Sequence, residues 1–241
     1  MSGEFGKIFK KTVDEFKTHS HKFMKVGLLL YFIPVLLLGL MFLLNLTKSN
    51  KIILSGVLNA IIIITSVLFM IFIIKTLNKE KGNLLSKSWK ELPSVLLFYI
   101  VYSILLMFLY LALIVPGIIF SIFWAFGMII FVLSGKKGIM ESLGVSKNLV
   151  KGRWWEVFGL LLLFGLTLIV FYLLIIIVFA FIGLIMGEST AFTIITTVVD
   201  TFFSLIFTIM SLIFGFNLYK YLQKAEKKQK TVKKKKVMKK K

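Results

Sequence analysis

VFGLLLLFGLTLIVFYLLIIIVFAFIGLIM, residues 157–186, runs for thirty positions without a charge or a proline. As a helix rising 1.5 Å per residue it would be about 45 Å long, more than the roughly 30 Å hydrocarbon core of a bilayer. Lipid offers nothing to backbone N–H and C=O groups, so such a run can be satisfied only as a helix, and it predicts a transmembrane span. Five further runs are long enough: Val26 to Leu46, Ile52 to Ile74, Ser94 to Val115, Pro116 to Ser134 and Thr193 to Leu218. Together they predict an all-α, polytopic transmembrane bundle of about six spans over residues 26–222. An amphipathic segment, 1–25, precedes it and a Lys-rich tail, 223–241, follows. Composition points the same way: 59% of residues are hydrophobic and 25 are Phe, against roughly 45–50% apolar in soluble domains.

The third and fourth runs are continuous in hydropathy. They divide at Val115-Pro116-Gly117, because proline lacks an N–H and pushes the preceding residue out of the helical region. A tight turn there makes a hairpin; the alternative, one kinked element of about 40 residues, would overrun the bilayer. Orientation follows from basic residues, which concentrate in cytoplasmic loops. In a six-span layout, all but Lys48 and Lys51 of the 30 Lys and Arg fall on one side. That predicts cytoplasmic N- and C-termini and a cell (inner or plasma) membrane location. The first 25 residues lack the pattern of a cleavable signal, so the first run is expected to be retained.

Apolar residues Phe5, Ile8, Phe9, Val13 and Phe16 recur at three- and four-residue steps among lysines, which predicts a helix lying on the membrane surface. Ile139, Met140, Leu143 and Val150 make a second stripe, and Leu85, Trp89 and Leu92 a shorter third. Each stripe leads into a pair of spans, suggesting three related units, although simple alternation of loops and spans would look the same. Trp154 and Trp155 beside Arg153, and Tyr219 and Tyr221 beside Lys220, are expected to anchor the cytoplasmic interface.

Residues 116–158 contain Pro116-Gly117, Trp124, Gly138-Ile-Met-Glu-Ser-Leu-Gly-Val-Ser146 and Lys151-Gly152-Arg153-Trp154-Trp155. This order resembles a broad prokaryotic family of six-span proteins of unknown function, which includes the glycerophosphodiester phosphodiesterase membrane-domain group and its YciC-like relatives. The shared block is a Pro-Gly turn, a span, a Gly-x-x-Glu-Ala-Leu-x-x-Ser helix and a Lys-Gly-x-x-Trp entry. Pro116, Gly117, Gly138, Ser146, Lys151, Gly152 and Trp155 are the residues it singles out. The chain departs from the pattern at Ser142, where Ala is expected, and at Gly144 and Val145, where basic residues are. The resemblance implies architecture rather than chemistry: the phosphodiesterase relatives carry catalysis in a separate soluble barrel for which this chain has neither length nor ligands. On the residues alone, Gly138 can start the surface helix, Ser142 and Ser146 share its polar face with Lys147, and Gly152 lets the chain turn into the next span.

Chemical signals are sparse. With no Cys there is no disulfide, thiolate nucleophile or Cys-based metal site. His19 and His21 are two apart and point to different helix faces, so no metal is expected there. No cofactor is expected, and no clustered nucleophile and base argue for an enzyme. Asp200 is the one acid well inside an apolar run. An intramembrane carboxylate is a functional candidate by its cost alone, as in a proton-coupled or small-solute transporter. The alternative is a carboxylate near the outer interface beside Thr196, Thr197 and Thr201. Ala180, Gly183 and Gly187 permit close helix packing along the fifth span. The tail, including Lys233, Lys234, Lys235 and Lys236, is too charged to fold by itself. Its expected partners are anionic lipid headgroups, with ribosome docking, as in an insertase-like factor, or another membrane protein as alternatives. Oligomeric state is not legible.

Overall fold

The computed structural model describes residues 2–43, 48–135, 138–186 and 190–238, with side chains given there except at 2, 31–43, 48, 49, 51, 112, 185, 186, 190, 191, 193, 194 and 229–238. Among the described residues every regular element is a helix: α1 (Ser2–Leu43), α2 (Lys48–Leu77), α3 (Leu84–Ala112), α4 (Ile114–Phe123), α5 (Gly127–Ser134), α6 (Ile139–Val150), α7 (Trp154–Met186) and α8 (Thr190–Met238). Five segments are long and apolar enough to cross a membrane: Ile52–Leu77, Leu84–Leu111, Ile114–Ser134, Trp154–Leu184 and Ile195–Lys228. The remaining expected span, Val26 to Leu46, continues α1 as far as Leu43; its side chains from 31 onward lie outside the described residues. The chain is an all-α, multi-pass membrane protein.

The packed core joins α1, α2 and α8, with α2 also against α3 and α5. Leu68, Phe69, Ile71 and Ile73 of α2 and Ile209, Ile213, Phe214 and Leu218 of α8 are buried there. This core sits at one end of the bundle, here called the basic end because the α2–α3 turn, Arg153 and Lys220 lie at it. Away from it the helices expose aliphatic surface, as at Leu97, Ile104 and Leu111 of α3 and Ile169, Leu173 and Ile177 of α7. Such residues suit lipid, which solvates hydrocarbon without a penalty.

The α3–α4 hairpin is present, but its break falls at Leu113 (φ −163°, ψ 135°), two residues before the expected point. Pro116 instead sits in the first turn of α4. N–H groups there have no partner within the helix, so a residue without one is tolerated. Gly117 closes the hairpin: a Cβ at this position would come within 2.4 Å of the Tyr110 ring.

The expected fourth span is also not one helix. It breaks at Trp124-Ala125-Phe126 into α4 and α5, and α6 packs against both.

Three other expectations are corrected. The stripe Phe5, Ile8, Phe9, Val13 and Phe16 does not lie on a surface of its own, because α1 is one continuous helix through Leu43. Ile8 is buried, Phe5 meets Phe214 at 6.1 Å and Phe9 meets Phe164 at 6.4 Å. An apolar stripe records that something covers it, and here protein does. On α6, Ser142 and Ser146 are buried with Leu143, Leu149 and Val150, while Met140 is exposed. The serines therefore belong to the packed face, and α6 inserts against α5 rather than resting on lipid. Last, the segment expected to be an unfolded tail continues α8 as helix to Met238. Lys, Gln, Glu and Ala all have favourable helix propensity, and a helix already nucleated by a span adds residues at little cost.

Candidate functional site

Asp200 faces α7 near the end of the bundle opposite the basic one. Tyr172, about 27 Å along α7 from Trp154 at 1.5 Å per residue, donates its hydroxyl to Asp200 Oδ1 at 3.0 Å. The pair borders a cavity of about 340 Å3 between α7 and α8, whose other walls include Ile176, Phe179, Phe192 and Thr196. Asp200 is exposed rather than buried. Of the threonines expected to accompany it, Thr196 lines the cavity, and Thr201 donates to the Thr197 carbonyl of its own helix at 2.8 Å. Tyr172 was missed from sequence; a tyrosine inside an apolar run is a weak sign of a nearby polar partner. Ala180 borders the same cavity and Gly183 faces Phe192; Gly187 lies outside the described residues.

The 116–158 block assembles around the break between α4 and α5. Buried Ser146 of α6 donates its hydroxyl to the Phe123 carbonyl at 2.8 Å and accepts the Phe126 N–H at 3.1 Å. One side chain thus serves a donor and an acceptor that the interrupted helix leaves open. Leu143 packs against Gly127, where a Cβ would stand 2.7 Å from its Cδ2. Gly138 caps α6 in an extended conformation (φ −66°, ψ 161°), and Gly152 takes φ 82° in the turn into α7, a conformation suited to glycine. Lys151 donates its backbone N–H to the Lys147 carbonyl at 2.9 Å, ending α6. Trp154 is tied inward, its indole N–H donating to the Ile119 carbonyl at 3.2 Å and its ring stacked on Phe158 at 5.2 Å. Trp155 is 74% exposed and free to meet an interface. Of the two tryptophans expected as interface anchors, Trp154 is thus held against the bundle and Trp155 is the exposed one. Tyr219 departs further, being buried in the core beside Phe126.

Polar clamps hold the basic end. Glu156 accepts two hydrogen bonds from Arg153, both 2.7 Å, and a third from the Tyr221 hydroxyl at 3.0 Å. Lys75, its side chain only 4% exposed, lies 2.8 Å from Glu91 and 3.2 Å from Glu80. Buried Asn217 donates to Glu15 at 2.8 Å and to the Thr12 hydroxyl at 3.4 Å, joining α8 to α1. Arg153–Glu156 is a local i,i+3 pair, but periodicity could not reveal Glu156 to Tyr221, Lys75 to Glu91 or Asn217 to Glu15, which link residues far apart in the chain. His19 Nδ1 donates to the Glu15 carbonyl at 3.0 Å, and its ring stacks on Phe23; among the described residues no group of three metal-ligating side chains is present. The side chains of Lys233, Lys234, Lys235 and Lys236 lie outside the described residues.

No family model, curated protein or solved structure matches the chain.

Proposed function

We propose that this multi-pass membrane protein is non-enzymatic and gathers anionic lipids at the cytoplasmic face of a cell membrane through the Lys-rich end of α8. In this reading both termini are cytoplasmic, and the chain is a divergent member of the six-span family that its 116–158 block resembles. The observation that carries the proposal is the continuity of α8 from the bundle core through Met238. It ties a segment rich in lysine directly to a span, so that its first lysines follow the bundle within a few helical turns. Each Lys near an anionic surface contributes about 1 kcal/mol, screened by salt.

The test compares the full chain with a chain lacking residues 224–241 in native lipid discs, identifying by mass spectrometry what travels with each. Enrichment of anionic lipid on the full chain, lost with the deletion and weakened by salt, is the expected result. Ribosomal or nascent-chain components in its place would refute the proposal in favour of an insertion factor. A stoichiometric small solute would refute it in favour of transport.

A further inference from the structure

The cavity between α7 and α8 has a lining whose chemistry differs from that of the basic end. Among the described residues, three aromatic rings, Tyr172, Phe179 and Phe192, border it together with one carboxylate, Asp200, and neither Lys nor Arg is part of its wall. Aromatic faces carry the negative part of the ring quadrupole and attract cations, most strongly when the cation is shed of water. A carboxylate beside such faces adds a full counter-charge. Tyr172 fixes Asp200 by donating to Oδ1 at 3.0 Å, which orients the second oxygen's lone pairs without neutralising the group. The space, about 340 Å3, is at the small end of ligand sites, which run from roughly 300 to 1,000 Å3. It accommodates a headgroup but not a whole lipid.

We propose that this cavity binds the ammonium headgroup of a membrane amphiphile, with Asp200 as counter-ion, the three rings as walls and the acyl chains lying along the outer surface of α7 and α8. A membrane source is favoured because the surface beside the cavity is apolar and open: Ile176, Phe181, Ile195 and Val198 are all substantially exposed. A soluble amine would leave that surface without a role. The site is separate from the basic end in position and opposite in charge preference. It stands whether or not the Lys-rich helix gathers anionic lipid.

To test it, the full chain is exchanged into discs of phosphatidylglycerol doped with a minor fraction of phosphatidylethanolamine, and the lipids retained on release are counted by native mass spectrometry. Phosphatidylethanolamine is expected to be retained in excess of its share, equally with and without residues 224–241. Asp200→Asn lowers that excess roughly tenfold, the loss of one desolvated cation contact with its counter-charge, whereas Asp200→Glu preserves it. Phe179→Leu, which removes a wall without touching the carboxylate, lowers it less and provides an independent reading should Asp200→Asn fail to elute as a folded species. Retention unchanged in both Asp200→Asn and Phe179→Leu overturns the proposal. So does loss of the excess on deleting 224–241, which would move the site to the basic end. Saturation by free ethanolamine without lipid overturns the assignment to a membrane amphiphile.

Discussion

Replacing Ser146 by alanine removes one hydroxyl that holds two backbone groups at the α4–α5 break. The Phe123 carbonyl and the Phe126 N–H, 2.8 Å and 3.1 Å from Ser146 Oγ, lose their partner together, and Ser146 is fully buried. A net hydrogen bond contributes about 1 kcal/mol, and a buried group left unpaired costs about 1–3 kcal/mol. Ser146→Ala should therefore destabilise the fold by about 2–4 kcal/mol. Ser142 supplies the control on the same helix. It is equally buried, yet its hydroxyl has no hydrogen-bond partner among the described residues. Ser142→Ala should be neutral or stabilising, and alanine is the residue expected here from the resemblance to the six-span family. The assay is denaturation in mixed micelles followed by tryptophan fluorescence, since Trp124 stands inside the break and the chain has no cysteine for thiol-reactive dyes. Equal stability of the two alanine variants would refute the assignment of Ser146 as the bridge across the break.

Gly117→Ala should cost about 1 kcal/mol, because its Cβ would overlap the Tyr110 ring at 2.4 Å, an overpacking penalty softened by that ring's exposure; Tyr110→Ala should restore the lost stability in the double variant, measured by thermal unfolding in detergent. Lys75→Met strands Glu80 and Glu91 without their shared cation. Since both carboxylates are partly exposed, the expected loss is about 1–2 kcal/mol rather than the full cost of a buried charge. Adding Glu91→Gln should recover part of it, read from the same unfolding midpoints.

The apolar runs were legible because lipid makes a single demand: length without charge. Five of the runs correspond to segments able to span, and the hairpin near Pro116 was found because proline is a local signal. The break at Trp124-Ala125-Phe126 was not found. That stretch contains neither glycine nor proline, and the group that stabilises it, Ser146, lies twenty residues on in another helix. The stripe in residues 5–16 was visible, but amphipathicity does not distinguish a lipid surface from Phe164 and Phe214. Tyr219 looked like a belt residue beside Lys220; only tertiary packing turns it toward Phe126. Asp200 stood out by its charge alone. Its partner Tyr172 could not be named, because neither helix's own period fixes how α7 and α8 are rotated against each other.

The contacts that close the core tie the first helix to the last: Asn217 to Glu15, and Phe214 to Phe5. Ribosomes extend chains at roughly 5–20 residues per second, so α1 waits on the order of 10–40 s before its buried face meets α8. Throughout that interval Phe5, Thr12 and Glu15 lack their partners Phe214 and Asn217 and must be shielded by lipid, by α2 or by a chaperone. Closure of the core therefore depends on how long an incomplete bundle survives in the membrane as well as on how quickly each span enters it.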